Sequence, residues 1–288
     1  MSMCEVSIEG GVLYVVATPI GNLDDITIRA VRVLGQVHCI AAEDTRHTSR
    51  LLKHHAIQTP LMALHEHNER QVLSRIVAWL QEGKAVALVS DAGTPLISDP
   101  GFPLVRECRR LGLKVSPLPG PAAFVAALSV SGLPTDNFCF HGFLPRQKSA
   151  RQERLAVLKQ EAGTQIFHES SHRIQQTLTD LCELWGGERK GCVARELTKR
   201  YEEVFCGSLS ELAQKVAEDP MRRKGEFVIL VAPAEEPSEL PERVLEVLRM
   251  LCQALPLKQA VTLAARTTGQ KKNQLYREAL KLEKKDQA

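Results

Sequence analysis

Short apolar runs at 12–17, 38–42, 60–64, 85–89 and 114–118 punctuate the first part of the chain, and a stretch with helical spacing follows each of them. Brief apolar runs bounded by Gly, Pro or polar residues read as strands buried on both faces. The clearest helix between them spans Asn68 to Gln81, where Val72, Leu73, Ile76, Val77 and Leu80 form one stripe and Asn68 stands at the N-cap position. Strand–helix alternation predicts a mostly parallel sheet covered on both faces. After Gly132-Leu133-Pro134 the alternation resumes, with strands expected at 138–143, 165–168, 191–194, 203–205 and 227–231. The helix expected from Ser208 to Glu218 opens with Ser208 and Glu211 at capping-box spacing. The predicted class is α/β: a first domain over 1–134, a second α/β domain over 135–233 closing a cleft, an acidic proline-bearing linker over 234–240, and a small all-α module over 241–288.

Three strand-to-helix loops share a composition. Ser90 to Gly101 carries two glycines, two prolines, two aspartates, two serines and a threonine; Ala17 to Asp25 and Leu118 to Ala123 likewise break an apolar run with Pro and Gly. In open α/β sheets such loops lie at the carboxyl ends of strands, where ligands bind. None has the Gly-Lys-Ser/Thr of a phosphate-binding loop and none has the spaced glycines of a dinucleotide fingerprint. A small ligand held by main-chain groups and small side chains fits them better. Carboxylates at strand ends are the candidates for proton transfer: Asp44, beside Glu43; Asp91, opening the central loop; and Glu196, beside Arg195. Each has a plainer reading, since Asp44 and Asp91 can cap the following helices and Glu196 can pair with Arg195. His65 and His67 alternate on an extended segment, but without a third ligand at a recognisable spacing no metal is expected.

The 288-residue chain is 44% hydrophobic and 25% charged, ordinary for a globular protein. No apolar stretch approaches the roughly 18–20 residues that span a bilayer, so no membrane partner is expected. Met1 to Glu5 has no secretory character, and the eight cysteines are scattered singly, which points to a reduced, cytoplasmic compartment. Net charge is only +3, yet from Pro256 onward eight Lys and Arg stand against three Asp and Glu. There, Thr267-Thr268-Gly269-Gln270 separates two helical segments in a helix-turn-helix pattern. Lys271 and Lys272 open the last helix, and Arg277 and Lys281 recur on one face, the arrangement of a phosphate-gripping surface or of a solvated tail.

Thr-Pro-Ile-Gly-Asn at 18–22, Ser-Asp-Ala-Gly-Thr-Pro-Leu-Ile-Ser-Asp-Pro-Gly at 90–101 and Pro-Gly-Pro-Ala-Ala at 119–123 together resemble the tetrapyrrole-methylase superfamily. Ala-Glu-Asp-Thr-Arg at 42–46 and His-Glu-His-Asn-Glu at 65–69 resemble, within it, the ribosomal small-subunit RNA methyltransferase I family. The likeness runs from about residue 12 to the last helix. It implies a two-domain fold, S-adenosylmethionine as cofactor, 16S rRNA in the small ribosomal subunit as partner, 2′-O-methylation of cytidine 1402 as the reaction, and a homodimer. By matched motif, Pro19, Gly93, Thr94 and Ile97 would flank the methionine end and sugar of the cofactor. Ala122 and Ala123 would abut its backbone, and Phe167 and Ala194 would close over the adenine. Many relatives that methylate tetrapyrroles carry Gly-Asp-Pro where this chain has Gly93-Thr94-Pro95, a departure that argues against a tetrapyrrole acceptor. Two other readings compete: a methyltransferase of a small cyclic substrate, which leaves the basic tail idle, and a nucleic-acid-binding regulator that senses a small ligand, which leaves the strand-end carboxylates without a role.

Overall fold

The computed structural model describes residues 8–65, 68–97, 99–234, 240–270 and 272–286. By its internal contacts the chain divides into two compact units, one up to Ala234 and one beyond it. Most of the expected linker, residues 235–239, lies outside the described residues, as do Glu66, His67, Ser98 and Lys271.

The first unit begins with β1 (Val12–Val16), α1 (Ile28–Leu34), β2 (Cys39–Ala42), α2 (Thr45–His54), β3 (Leu61–Ala63), α3 (Glu69–Gln81), β4 (Val86–Val89), α4 (Phe102–Arg110), β5 (Lys114–Leu118) and α5 (Ala123–Val130). The five strands form one sheet in the order β3-β2-β4-β1-β5, every pairing parallel. Alternation along β1 sends Val12, Tyr14 and Val16 into a core with Ala30, Val33 and Leu34 of α1, and Leu13 into another with Ile76 of α3 and Leu104 of α4. Burial on both faces explains the unbroken apolar runs. Asn68 precedes α3 but makes no side-chain cap; its Oδ1 accepts from the His65 amide and its Nδ2 donates to the Ala63 carbonyl, fastening the strand end instead.

A second sheet follows: β6 (Phe138–Phe143), α6 (Lys148–Leu158), β7 (Thr164–Ser170), α7 (Ile174–Trp185), β8 (Lys190–Arg195), β9 (Glu203–Ser208), α8 (Leu209–Glu218) and β10 (Glu226–Val231). Its order is β6-β7-β10-β8-β9, with only the β6–β7 pair parallel. Ser208 and Glu211 close a reciprocal capping box at the start of α8. One face of the sheet packs Phe167, Val193, Phe227 and Ile229 against α6, α7 and α8; the other packs Ile166, Cys192, Ala194, Val228 and Leu230 against Ala127 and Leu128 of α5. The last helix of the first strand–helix run thus covers the second sheet, and both sheets belong to one unit.

Cys192 and Cys206 stand opposite one another on β8 and β9 and are joined as a disulfide. Scattered singly in sequence, these two cysteines are nonetheless brought together by the fold. They lie fourteen positions apart in sequence, and only the antiparallel register brings them face to face.

The second unit consists of α9 (Glu242–Ala254), α10 (Leu257–Thr268) and α11 (Lys272–Asp286) around Leu240, Val244, Leu248, Val261, Ala264, Leu275 and Ala279. Gly269 ends α10 in the left-handed region, making the turn. No helix among the described residues is long and apolar enough to cross a membrane.

Arg151 of α6 and Asp180 of α7 form an ion pair at 2.6 Å with both side chains only 2% exposed. Gln152 donates to the other Asp180 oxygen, and Arg151 also donates to the Arg146 carbonyl. Removing one partner strands a buried charge, so Asp180→Ala should cost about 3–5 kcal/mol. The apolar replacement of both, Arg151→Met with Asp180→Leu, should recover most of that loss in denaturant midpoints.

Candidate functional site

Because all strands of the first sheet are parallel, the loops after β4, β1 and β5, which are adjacent in the sheet, leave at the same edge. Backbone bonds lock them together. The Thr18 amide donates to the Gly93 carbonyl at 2.8 Å, the Gly93 amide returns to the Thr18 carbonyl at 3.0 Å, and Ala17 donates to the Leu118 carbonyl. The Thr94 hydroxyl donates to the Pro121 carbonyl at 3.2 Å, joining the second loop to the third. Gly93 sits at φ +84°, a conformation that side-chain-bearing residues rarely adopt. Leu96 at φ 72°, Glu196 at φ 50° and Thr198 at φ 65° take the same region without being glycine. Such backbone strain gathers at functional sites.

These loops face a cavity of about 680 Å³, within the range of small-molecule sites. The opposite wall comes from the second sheet. His168, Val228 and Ala194 are cross-strand partners in one row over β7, β10 and β8, and all three line the cavity. From the side of the first sheet come Ile20, Glu43, Asp91, Gly93, Thr94, Ile97 and Asp99, followed by Ala122 and Ala123.

Most of the residues singled out from sequence meet here: Gly93, Thr94, Ile97, Ala122, Ala123, Ala194, Asp91 and Glu196 all line the cavity. Pro19 and Phe167 do not. Pro19 is buried, and Phe167 is fully buried in the opposite core beside Trp185. The pleat that sends Phe167 inward turns its neighbour His168 to the cavity. Asp44 also stands off the wall. It caps α2, its Oδ1 accepting from the Arg46 amide at 2.8 Å, and it pairs with the Arg46 guanidinium, which holds its carboxyl well below the usual carboxylate range. Glu43, one residue earlier, is the one that lines the cavity.

Asp91 Oδ1 accepts from the Asp44 amide at 2.9 Å, so the loops after β4 and β2 are also joined. Glu196 accepts from Lys199 Nζ and from the Glu226 amide, both at 2.9 Å. Burial pushes its pKa up, but these hydrogen bonds and the lysine charge outweigh burial and leave it lowered. Asp99 was not singled out from sequence. Burial raises its pKa, a hydrogen bond with Ser90 opposes the rise, and the nearby Asp91 charge adds to it. His168 is held down by burial, against a weaker opposing pull from Glu226. Among the described residues no group of three or more His, Cys, Asp or Glu converges as a metal site.

The cavity wall offers bare backbone at Gly93 and acidic side chains at Glu43, Asp91 and Asp99, a lining that favours a ligand carrying positive charge.

The family Tetrapyrrole (Corrin/Porphyrin) Methylases matches residues 12–213, and the RsmI C-terminal HTH domain matches 238–283. Among solved structures, cobalt precorrin-4 methyltransferase superposes with a TM-score of 0.59 at 18% identity, covering 79% of this chain and 97% of that one. Uroporphyrin-III C-methyltransferase from Thermus thermophilus, complexed with S-adenosyl homocysteine, gives 0.52 at 17% identity, covering 76% and 96%. At these identities the likeness establishes the fold. The architecture is that of a tetrapyrrole methylase. Ribosomal RNA small subunit methyltransferase I of Pseudomonas aeruginosa is 50% identical over 94% of this chain and 97% of its own length. The protein of the same name from Escherichia coli O157:H7 is 51% identical over 94% and 95%. The chain belongs to the ribosomal RNA small subunit methyltransferase I family.

The raised pKa of Asp99 has a definite sign for stability. Its native carboxyl binds a proton more tightly than the unfolded one, whose ordinary value is 3.8, so stability is lost as pH rises from that value through the raised one. Asp99→Asn should therefore be more stable than the unaltered chain at neutral pH. Thermal midpoints measured across pH should show the gap closing as pH falls toward the ordinary carboxylate range.

Proposed function

We propose that the chain is an S-adenosylmethionine-dependent methyltransferase acting on a ribose 2′-hydroxyl of 16S rRNA, at cytidine 1402 of the decoding region. The observation that carries this reading is the backbone-lined cavity edged by strand-end carboxylates, in a chain 50% identical over nearly its whole length to a protein named as a small-subunit rRNA methyltransferase. The cofactor supplies an activated methyl group on a sulfonium. The chain's own task is to align the acceptor oxygen, exclude water and receive a proton.

Gly93, Thr94, Ile97, Ala122, Ala123 and Ala194 hold the cofactor, and Pro19 sets the course of the first loop. Asp91 takes the hydroxyl proton: it lines the cavity, enters no ion pair among the described residues, and is oriented by the Asp44 amide. Glu196, held by Lys199, shapes the wall, and Asp44 keeps α2 in place. Phosphates of the RNA meet the second unit, where Lys272 and Arg277 are exposed on α11 and Lys281 follows in the same helix. Lys271, assigned to the same surface, lies outside the described residues. A small cyclic acceptor would leave these cations without a role. The protein works in the cytoplasm, where its acceptor is found, and as a homodimer. Supporting the dimer, α5 is apolar except for Ser129, and its Val125 and Val130 stand exposed.

Incubation with labelled methyl donor and small ribosomal subunits, followed by mapping of the label, tests the reading directly. A labelled cytidine ribose is expected; label on a base, or none, would overturn it. In the same assay Asp91→Asn, which keeps an acceptor for the Asp44 amide, should retain donor affinity and slow single-turnover methylation by about 10²–10⁴-fold. Replacing Lys272 and Arg277 together by Glu should weaken subunit binding mainly at low salt. The salt dependence should flatten by about one unit of slope for each phosphate no longer neutralised. Donor affinity should not change.

A further inference from the structure

Phe143 lines the cavity and is 56% exposed there, yet neither cofactor binding nor proton transfer uses it. An aromatic ring left open at the wall of a binding cavity is a surface awaiting a flat partner. Its position is built by a defect in strand pairing. β6 and β7 run in register as far as Phe140 opposite Ile166, and then Phe143, not Gly142, falls opposite His168. The extra residue is absorbed at Gly142, which takes φ +64°. Bulges of this kind re-aim a side chain near a site. Here the result is that Phe143 extends the row His168–Val228–Ala194, so that one line of side chains crosses four strands along the cavity.

The ring is also held. His168 packs edge-on against it with centroids 5.5 Å apart, and burial keeps that imidazole toward its neutral form. Just beyond Phe143, the Arg173 guanidinium donates to the Leu144 carbonyl at 2.8 Å and to the Pro145 carbonyl at 3.2 Å, while pairing with the fully buried Glu169. Thr177 donates to the same carboxylate at 2.6 Å. The chain leaving β6 then presents exposed Arg146 and Lys148. An exposed aromatic followed by cations a few residues along the chain supplies the two elements by which proteins engage single-stranded nucleic acid, base stacking and phosphate contact.

We infer that Phe143 is the stacking platform for an unstacked base of the acceptor RNA strand, and so positions the nucleotide whose ribose is methylated. The inference rests on the proposed rRNA reading. It separates the two halves of the cavity: Ala194, on the cofactor side, lies three strands from Phe143, about 14 Å at the usual strand spacing. A base splayed onto the ring leaves its ribose directed at the carboxylate-edged wall across the cavity.

The test uses the full chain, small ribosomal subunits and three variants, Phe143→Ala, Phe143→Leu and Phe143→Tyr. Loss of the ring should raise KM for subunits, lowering kcat/KM by about 5- to 150-fold in the Ala and Leu variants, the span expected for one stacked base. Phe143→Tyr should restore it, and donor affinity by calorimetry should be the same in all four proteins. Undiminished kcat/KM in Phe143→Leu, with the unaltered chain methylating normally, overturns this assignment alone. Loss of donor affinity in parallel with the ring also overturns it, because the ring would then pack against the cofactor. Failure of the unaltered chain to methylate RNA brings down the functional reading and this inference together.

Discussion

Everything at the cavity depends on a pair of backbone hydrogen bonds between Thr18 and Gly93, made where two parallel strands end side by side. Parallel pairing alone brings the loops after β1 and β4 to one edge. The reciprocal bridge makes them one surface, and the bonds from Ala17 to Leu118 and from Thr94 to Pro121 add the third loop. Since main-chain groups make most of these links, the surface depends on backbone conformation more than on side-chain identity. That explains why the loops are rich in Pro, Gly and small hydroxyl residues: each fixes or frees a backbone angle and leaves room for a ligand to approach.

The second wall is held by a different device. The antiparallel strands of the second sheet set His168, Val228 and Ala194 in a row, and α5 packs against the same face with Ala127 and Leu128. Behind that face, buried charge fixes the geometry. Arg151 and Asp180 join α6 to α7, and Glu169 with Arg173 and Thr177 ties the end of β7 to the exit of β6. Such pairs contribute little net stability compared with well-packed apolar residues. Their value lies in direction: Nη2 of Arg173, paired with Glu169, reaches the Leu144 and Pro145 carbonyls only where they stand.

The strands of the first sheet were legible because an apolar run needs no face assignment, and the capping box of α8 because its chemistry is local. The wall of the cavity was harder to read. β7 is buried along nearly its whole length, so its sequence has no alternation from which to tell that His168 and not Phe167 lines the cavity. At the end of β2, Glu43 and Asp44 are chemically alike, and only the capping of α2 decides which one turns away. The bulge that aims Phe143 leaves no signal beyond a glycine, and the pairing of Cys192 with Cys206 follows from a register that no local spacing encodes. Properties set within one element could be read in advance; those set by the meeting of two could not.

The carboxylates around the cavity also act on whatever cannot enter. Glu43, Asp91, Asp99, Glu196 and Glu226 border it, with Lys199 as a counterweight on one side only. Negative charge approaching that opening meets an unfavourable field, and positive charge a favourable one. A polyanion is least opposed there when it turns a neutral portion inward and leaves its charges at the rim. The wall therefore discriminates by presentation as well as by composition: a polyanion able to flex its charges away from the opening meets less opposition than a rigid one.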